Sequence, residues 1–123
     1  MGEVGRYRDL LVWQKAMTVV QDIYRASASW PKEEQYGITN QLRRAAVSVP
    51  ANIAKGQGRT GVKEFLHHLS IANGPLHETE TLRLVALGLH DIDAATCQAL
   101  LARTEEVGRL LGGLIRRLRP AVP

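Results

Sequence analysis

Hydrophobic residues recur at helical spacing along almost the whole chain, and no segment shows the apolar–polar alternation of a strand. The pattern predicts four helices, at about residues 10–28, 33–55, 62–89 and 93–118. Four helices of this length with short connections predict an all-α, up-down-up-down antiparallel four-helix bundle. A chain of 123 residues favours a single domain, covering residues 1–123.

Turn and capping residues punctuate this pattern. The stretch "SASWPKEE" interrupts the first apolar stripe, and Pro31 suits the first turn of the next helix. Asp9 is a predicted N-cap for the first helix, and Asp91 or Asp93 for the fourth. Pro50 lies in the middle of the second helix and predicts a kink, with Ser48 and Asn52 beside it as candidate partners for the freed carbonyls.

The second predicted helix has an unusual distribution of polarity. Its core face carries Leu42, Ala45, Ala46, Val49 and Ile53, and a polar stripe beside that face carries Gln41, Arg44, Ser48, Asn52 and Lys55. The remaining side presents Val47, Ala51 and Ala54, where a surface helix normally carries charge. We therefore expect an oligomer in which another subunit covers this side. The alternative is that long side chains of neighbouring helices lie over it.

Positive charge is concentrated in two blocks. The net charge is +4, and residues 35–63 and 107–123 contain basic side chains without a single acidic one. Such blocks attract phosphate groups. The alternative for each is an ordinary solvated face, and arginines also suit a helix C-terminus.

The stretch "GQGRTG", Gly56 to Gly61, has the spelling of a dinucleotide-binding turn. That turn requires a preceding strand and a surrounding βαβ unit, whereas these glycines follow a predicted helix. We therefore interpret them as a tight helix–helix turn, in which Gly56 or Gly58 ends the helix with a positive φ. The turn presents Arg59 and Lys63 beside the start of the third helix, where backbone N–H groups favour an anion.

The sequence offers little support for catalysis. Cys97 is the single cysteine, which leaves no disulfide framework and no zinc cluster within one chain. A di-metal bundle site needs two Glu-x-x-His pairs, and Glu64 to His67 supplies one. No nucleophile can be paired with a base, and Trp13 and Trp30 are better explained as core or interface anchors than as base-stacking platforms. We therefore expect no catalytic residues, no metal, no cofactor and no enzymatic activity.

No apolar run approaches the roughly 18 residues that a bilayer span requires. The start, "MGEVGRYRDL", lacks the apolar middle of a secretory signal. We therefore expect a cytoplasmic protein with no membrane partner.

Long stretches of the chain resemble a known family of four-helix-bundle proteins, first found as intervening sequences in 23S rRNA genes. The resemblance is carried by "YRDLLVWQKAM" (7–17), "WPKEEQYGITNQLRRAAVSVPANIAKGQGR" (30–59), "KEFLHHLSIANGPLHETETLRLV" (63–85) and "GGLIRRL" (112–118). The family resemblance implies a bundle that assembles as a ring, typically a homopentamer. The family includes relatives of the accessory variability determinant of diversity-generating retroelements, which binds a reverse transcriptase and nucleic acid through a basic surface.

This chain departs from the family pattern at two places. Lys55 stands where the family commonly has Glu, which adds positive charge and removes an ion-pair partner. Gly74-Pro75 stands where the family usually has Gly-Ser, so we expect the third helix to kink. Glu80, one of an acidic pair with Glu78 that matches the family, is predicted to form a structural ion pair with Arg44.

Two functional hypotheses follow. The first is a non-enzymatic, basic, homopentameric accessory protein that holds RNA or an RNA–DNA hybrid, with a reverse transcriptase as a further partner. Its predicted nucleic-acid contacts are Arg43, Lys55, Arg59, Lys63, Arg116, Arg117 and Arg119, and its predicted oligomer interface contains Val47, Ala51 and Ala54. The second hypothesis is a protein-binding scaffold that meets an acidic partner and binds no nucleic acid.

Overall fold

Five α-helices form the frame of the computed structural model, which describes residues 7–58 and 61–122. They are α1 (Leu11–Ser27), α2 (Asn40–Gln57), α3 (Val62–Ile71), α4 (Asn73–Gly88) and α5 (Ala94–Leu118). Short 3-10 turns occupy Tyr7–Asp9, Lys32–Glu34 and Arg119–Ala121, and a π-helical turn occupies Gln35–Thr39. Within the described ranges there is no strand.

Helices α3 and α4 form one bent arm, so the chain builds a bundle of four arms. Helix α1 packs against α2 and α5, and the α3–α4 arm packs between α2 and α5. The contacts show antiparallel neighbours: Arg43 at the start of α2 reaches Ser27 at the end of α1, and Arg83 late in α4 reaches Cys97 early in α5. The prediction of an all-α four-helix bundle is confirmed.

Each arm contributes a buried stripe with helical spacing to one continuous core. The stripe of α1 is Val12, Ala16, Val19 and Ile23, and that of α2 includes Leu42, Ala46, Val49 and Ile53. Side chains three or four residues apart project from the same face of a helix, which is why this spacing makes a single apolar surface on each arm. Burial of these surfaces against one another is the main force that holds the bundle together.

The entry to the second arm differs from the prediction. Regular α-helix begins at Asn40 rather than near residue 33, because Gly37 has φ −108° and ψ −113°, which lies outside the helical region. The segment between Pro31 and α2 therefore forms a 3-10 turn followed by a π-helical turn. Trp30 and Thr39, at the two ends of this irregular entry, are both buried.

The two internal prolines have different consequences. Helix α2 runs through Pro50 without a break, and Asn52 Nδ2 donates to the Ser48 carbonyl at 2.8 Å. Because Pro50 has no N–H group, the carbonyl that loses its hydrogen-bond donor is that of Ala46. The bond from Asn52 to Ser48 therefore does not replace the missing hydrogen bond, although the sequence predicted that it would. By contrast, the third arm divides at Ala72, three residues before Pro75, as the predicted kink requires.

Of the two N-caps predicted for the first and last helices, the structure shows the one on α5 and not the one on α1. Asp93 caps α5, where its carboxylate accepts from the Thr96 N–H at 2.7 Å. Asp9 does not cap α1: it lies in the preceding 3-10 turn, and the N-cap position belongs to Leu10. The turn that joins α4 to α5 bends at His90, which has a φ of 64°.

Candidate nucleic-acid interface

The antiparallel topology brings most of the predicted basic contacts to one end of the bundle. This end contains the start of α1, the end of α2, the start of α3 and the end of α5. Five of the predicted residues lie there with exposed side chains: Lys55, Lys63, Arg116, Arg117 and Arg119. We refer to these five residues as the basic end. Arg59, predicted for the same group, lies outside the described residues.

A close helix contact sets the position of Lys55 relative to the third arm. Gly56 is buried at the crossing of α2 and α3, and a Cβ atom there would lie 2.5 Å from His68 Cβ and 3.2 Å from Phe65 Cδ1. Because glycine has no Cβ, the two backbones can approach this closely. The contact holds the end of α2 against the first turns of α3, which carry Lys63.

In this turn Gly61 is the described glycine with a positive φ, 94°, and it precedes α3 as its N-cap. Gly56 lies inside α2, and Gly58 has a φ of −78°, so neither takes the helix-ending conformation predicted for it. No strand precedes this turn within the described residues, so it lacks the context that a dinucleotide fingerprint requires.

Two glycines in α5 lie beneath the arginines of the basic end. Cβ atoms built at Gly112 and Gly113 would lie 3.4 Å from Nη1 of Arg116 and 3.6 Å from Nη1 of Arg117. The guanidinium groups therefore lie back along the last turns of α5, over the positions where these two glycines lack a side chain. Cations in the last turn of a helix also interact favourably with its carbonyl groups.

The basic end forms no ion pairs with the acidic side chains that the structure describes. Within residues 7–58 and 61–122, ion pairs join Lys15 to Glu106, and Asp22 to both Arg25 and Arg103. None of the five residues of the basic end takes part in an ion pair with a described residue. Among the described residues, therefore, no carboxylate competes with a polyanion for these charges through an ion pair.

Arg43 does not belong to this end. It lies near the start of α2, roughly 18 Å along the helix axis from Lys55 at about 1.5 Å per residue. Its Nε donates to Ser27 Oγ at 2.8 Å, and its guanidinium lies 4.6 Å from the centre of the Tyr24 ring. The structure thus separates Arg43 from the other predicted contacts.

The predicted ion pair between Arg44 and Glu80 is not formed. Glu80 accepts a hydrogen bond from Thr104 Oγ1 of α5 at 2.8 Å. Arg44 is exposed in a groove between α2 and α4 that also contains Glu78. The two predicted partners lie on different sides of α4, because Glu80 faces α5 and the Arg44 groove faces α2.

The predicted oligomer surface lies on the outer side of α2. Val47 is 41% exposed, and Ala51 and Ala54 are half-buried. Tyr24 on α1 is 45% exposed, and the Arg43 guanidinium of α2 lies over its ring. Long side chains from adjacent helices do not bury Val47 in the single chain.

The fold and the sequence both match known proteins. The model of the 23S rRNA-intervening sequence protein family matches residues 8–113, most of the chain. This chain belongs to that family. A crystal structure of a protein of unknown function from the S23 ribosomal protein family of Bacteroides thetaiotaomicron is similar, with a TM-score of 0.76 and 20% sequence identity. The similarity covers 85% of this chain and 98% of that one, and at this identity it supports the fold alone. A comparison with curated proteins gave no significant match.

In this member of the 23S rRNA-intervening sequence protein family, the structure also shows features that sequence patterns did not predict. Arg83 is 6% exposed, and its Nη1 lies 2.9 Å from Cys97 Sγ and 3.2 Å from the Cys97 carbonyl. The burial of Arg83 could have been predicted from its spacing from Leu76 and Thr79, which places all three residues on one face of α4.

Two further features concern the part of the chain that the structure describes. Histidine, cysteine and carboxylate side chains do not come together there in groups of three suited to a metal ion. None of the described helices combines the length and hydropathy of a bilayer span.

Proposed function

We propose that this protein is a non-enzymatic accessory protein that binds RNA or an RNA–DNA hybrid through the phosphate backbone. The observation that carries the proposal is the basic end: five exposed cations at one end of the bundle, without ion pairs to described residues. Side chains that contact phosphates supply affinity and little sequence preference.

We further propose that the protein acts as a ring-shaped homopentamer, closed through the outer side of α2. In a cyclic ring, symmetry places the same end of every subunit on the same side of the assembly. Five copies of the basic end would then form one positively charged rim. By the family resemblance, a retroelement reverse transcriptase is the proposed protein partner, and the cytoplasm the proposed location.

The nucleic-acid hypothesis is tested by fluorescence anisotropy with a structured RNA, measured over a series of salt concentrations. We expect tight binding at low salt, with an affinity that falls steeply as salt rises because counterions are released from the RNA. The double variant R116Q/R117Q should bind RNA more weakly. A plot of the logarithm of the binding constant against the logarithm of the salt concentration should also become less steep. We expect its slope to change by about 0.7 to 0.9 for each phosphate that these arginines neutralise in the parent protein.

A matched control is available at the other end of the molecule. The variant R25Q/R103Q removes the same charge from exposed side chains that pair with Asp22. We expect it to bind RNA nearly as well as the parent protein. Equal weakening in the two variants would show that net charge, rather than the basic end, governs binding.

The second candidate function is a protein-binding scaffold without nucleic-acid affinity. It is favoured by exposed apolar side chains at the end of the bundle opposite the basic end, namely Tyr36, Leu84, Val85 and Leu89. Failure of RNA to bind even at about 50 mM salt, where phosphate contacts are strong, would leave this function as the better one.

A further inference from the structure

A small polar cavity lies at the end of the bundle opposite the basic end, between the end of α1 and the irregular entry to α2. Its volume is about 170 Å³. The side chains that give it its chemistry are Ser27, Trp30, Lys32, Gln35, Thr39 and Arg43. We call it the Trp30 pocket. Among the described residues, no carboxylate lines it.

Arg43 is held rigidly at the wall of this pocket. Its Nε donates to Ser27 Oγ at 2.8 Å, and Ser27 is itself buried and donates to the Ile23 carbonyl at 2.7 Å. The guanidinium rests 4.6 Å from the centre of the Tyr24 ring, at a distance suited to cation–π attraction. Its terminal nitrogens make no hydrogen bond or ion pair with a described residue. A guanidinium fixed in this way presents a planar fork to an oxyanion.

Two residues that line the pocket carry buried polar groups without partners in the described part of the chain. Trp30 is 8% exposed and Thr39 is 5% exposed, and neither the indole Nε1 nor the hydroxyl Oγ1 bonds to a described residue. An indole N–H can only donate, and a hydroxyl can donate one hydrogen bond. A buried polar group without a partner is costly, so such groups usually have a ligand, a water or a functional role.

We propose that the Trp30 pocket binds a phosphate group. The pocket combines a fixed guanidinium with the side chain of Lys32, without an opposing carboxylate among the described residues. A guanidinium held in one place suits recognition of a phosphate oxyanion, and the volume suits one phosphate rather than a drug-sized ligand. The phosphate could belong to a free anion, to a small metabolite or to the end of a nucleic acid. This site is separate from the basic end and does not depend on the proposed function.

Thermal unfolding in inorganic phosphate, compared with chloride at equal ionic strength, tests the proposal. A ligand that binds only the folded state raises the Tm increasingly as its concentration exceeds Kd. We expect a rise with phosphate that R43Q abolishes. R44Q removes the same charge from the adjacent residue, which faces a different groove, and should keep the full response. No rise beyond the chloride control, or an equal reduction in R43Q and R44Q, would overturn the proposal.

Fluorescence of Trp30 in a W13F background provides a direct second readout of phosphate binding.

The source of the phosphate is distinguished with a short RNA carrying either a 5′-phosphate or a 5′-hydroxyl, in the R116Q/R117Q background. Stronger binding of the phosphorylated RNA, abolished on adding R43Q, would support the end of a nucleic acid as the ligand. Equal binding of both RNAs, with a positive response to inorganic phosphate, would support a free or small-molecule phosphate.

Discussion

Single polar side chains decide where helices of this bundle begin, and Asp93 shows how. Its carboxylate accepts from the Thr96 N–H, which would otherwise lack a partner in the first turn of α5. That hydrogen bond lowers the pKa of Asp93 below its ordinary value of 3.8. Because the pKa of Asp93 is lower in the folded state, the cap stabilises the fold at pH values above the pKa of the unfolded state. This stabilisation is lost as the pH falls through the pKa of the folded state.

We predict that D93A lowers the Tm at pH 7, because the N–H groups of the first turn lose their acceptor. The difference between the parent and D93A should shrink below about pH 3.8, where the carboxyl group becomes protonated. Thermal unfolding at several pH values measures this. D93N, a good cap without a titrating group, should keep most of the stability, and a decrease as large as that of D93A would contradict the capping role.

A second carboxyl group should give the opposite dependence on pH. A hydrogen bond with Asp91, burial and repulsion from the Asp91 charge raise the pKa of Glu34 from 4.5 to about 6. At pH values between these two pKa values, Glu34 keeps its proton in the native state and releases it in the unfolded state. The stabilisation by this pair is therefore complete below pH 4.5 and is lost as the pH rises through about 6.

We predict that D91N removes this dependence, because an amide neither repels the Glu34 carboxylate nor shares its proton. Urea unfolding between about pH 4 and about pH 7 should show a decline for the parent that is absent in D91N. NMR titration of the Glu34 side chain should show its pKa returning towards 4.5. An unchanged pKa in D91N would rule out Asp91 as the main cause.

At the level of helices, the crossing of α2 and α3 depends on the absence of a side chain at residue 56. A Cβ atom there would meet His68 Cβ at 2.5 Å and Phe65 at 3.2 Å. We predict that G56A destabilises the protein by about 1–3 kcal/mol, the range found when an overpacked contact forces helices apart. Chemical denaturation measures the change in the free energy of unfolding.

Gly58 is the control for this prediction. It lies two residues further along, has a φ of −78°, and a Cβ atom there would be 3.5 Å from the nearest atom, the Ala54 carbonyl oxygen. We therefore expect G58A to be neutral or slightly stabilising, since alanine restricts the unfolded chain more than glycine does. If both alanine variants are neutral, the close approach of α2 to α3 is not a constraint on the fold.

At the level of the whole molecule, the outer side of α2 is the surface on which assembly is predicted to depend. Val47 is 41% exposed in one chain, and a charge placed there would have to be buried in an interface. We predict that V47E dissociates the oligomer and leaves a folded single chain of 13.6 kDa. Light scattering after size-exclusion chromatography measures the mass, and circular dichroism checks the helices.

Gln98 is exposed on α5, so Q98E adds the same charge elsewhere on the surface. This variant should keep the mass of the parent protein, which we expect to be five times that of one chain. A parent protein that is already a single chain would contradict the predicted ring. A V47E protein with an unchanged mass would place the interface on another face.

Much of this molecule could be predicted from local patterns in its sequence. The helical spacing of apolar residues determined the four arms, the missing charge on one side of α2 pointed to a surface of unusual polarity, and Asp93 and Pro75 marked a cap and a bend. Each of these features depends on residues that are close together along the chain, so a short stretch of sequence carries the whole signal.

Packing between distant segments decided the rest. It separated Arg43 from Lys55, paired Glu80 with Thr104 instead of Arg44, and buried Arg83 beside Cys97. It also brought Trp30, Thr39 and Arg43 around one cavity. Spacing along the chain shows which face of a helix a residue occupies, but the partner it meets depends on how whole arms are arranged, and that arrangement exists only in the folded bundle.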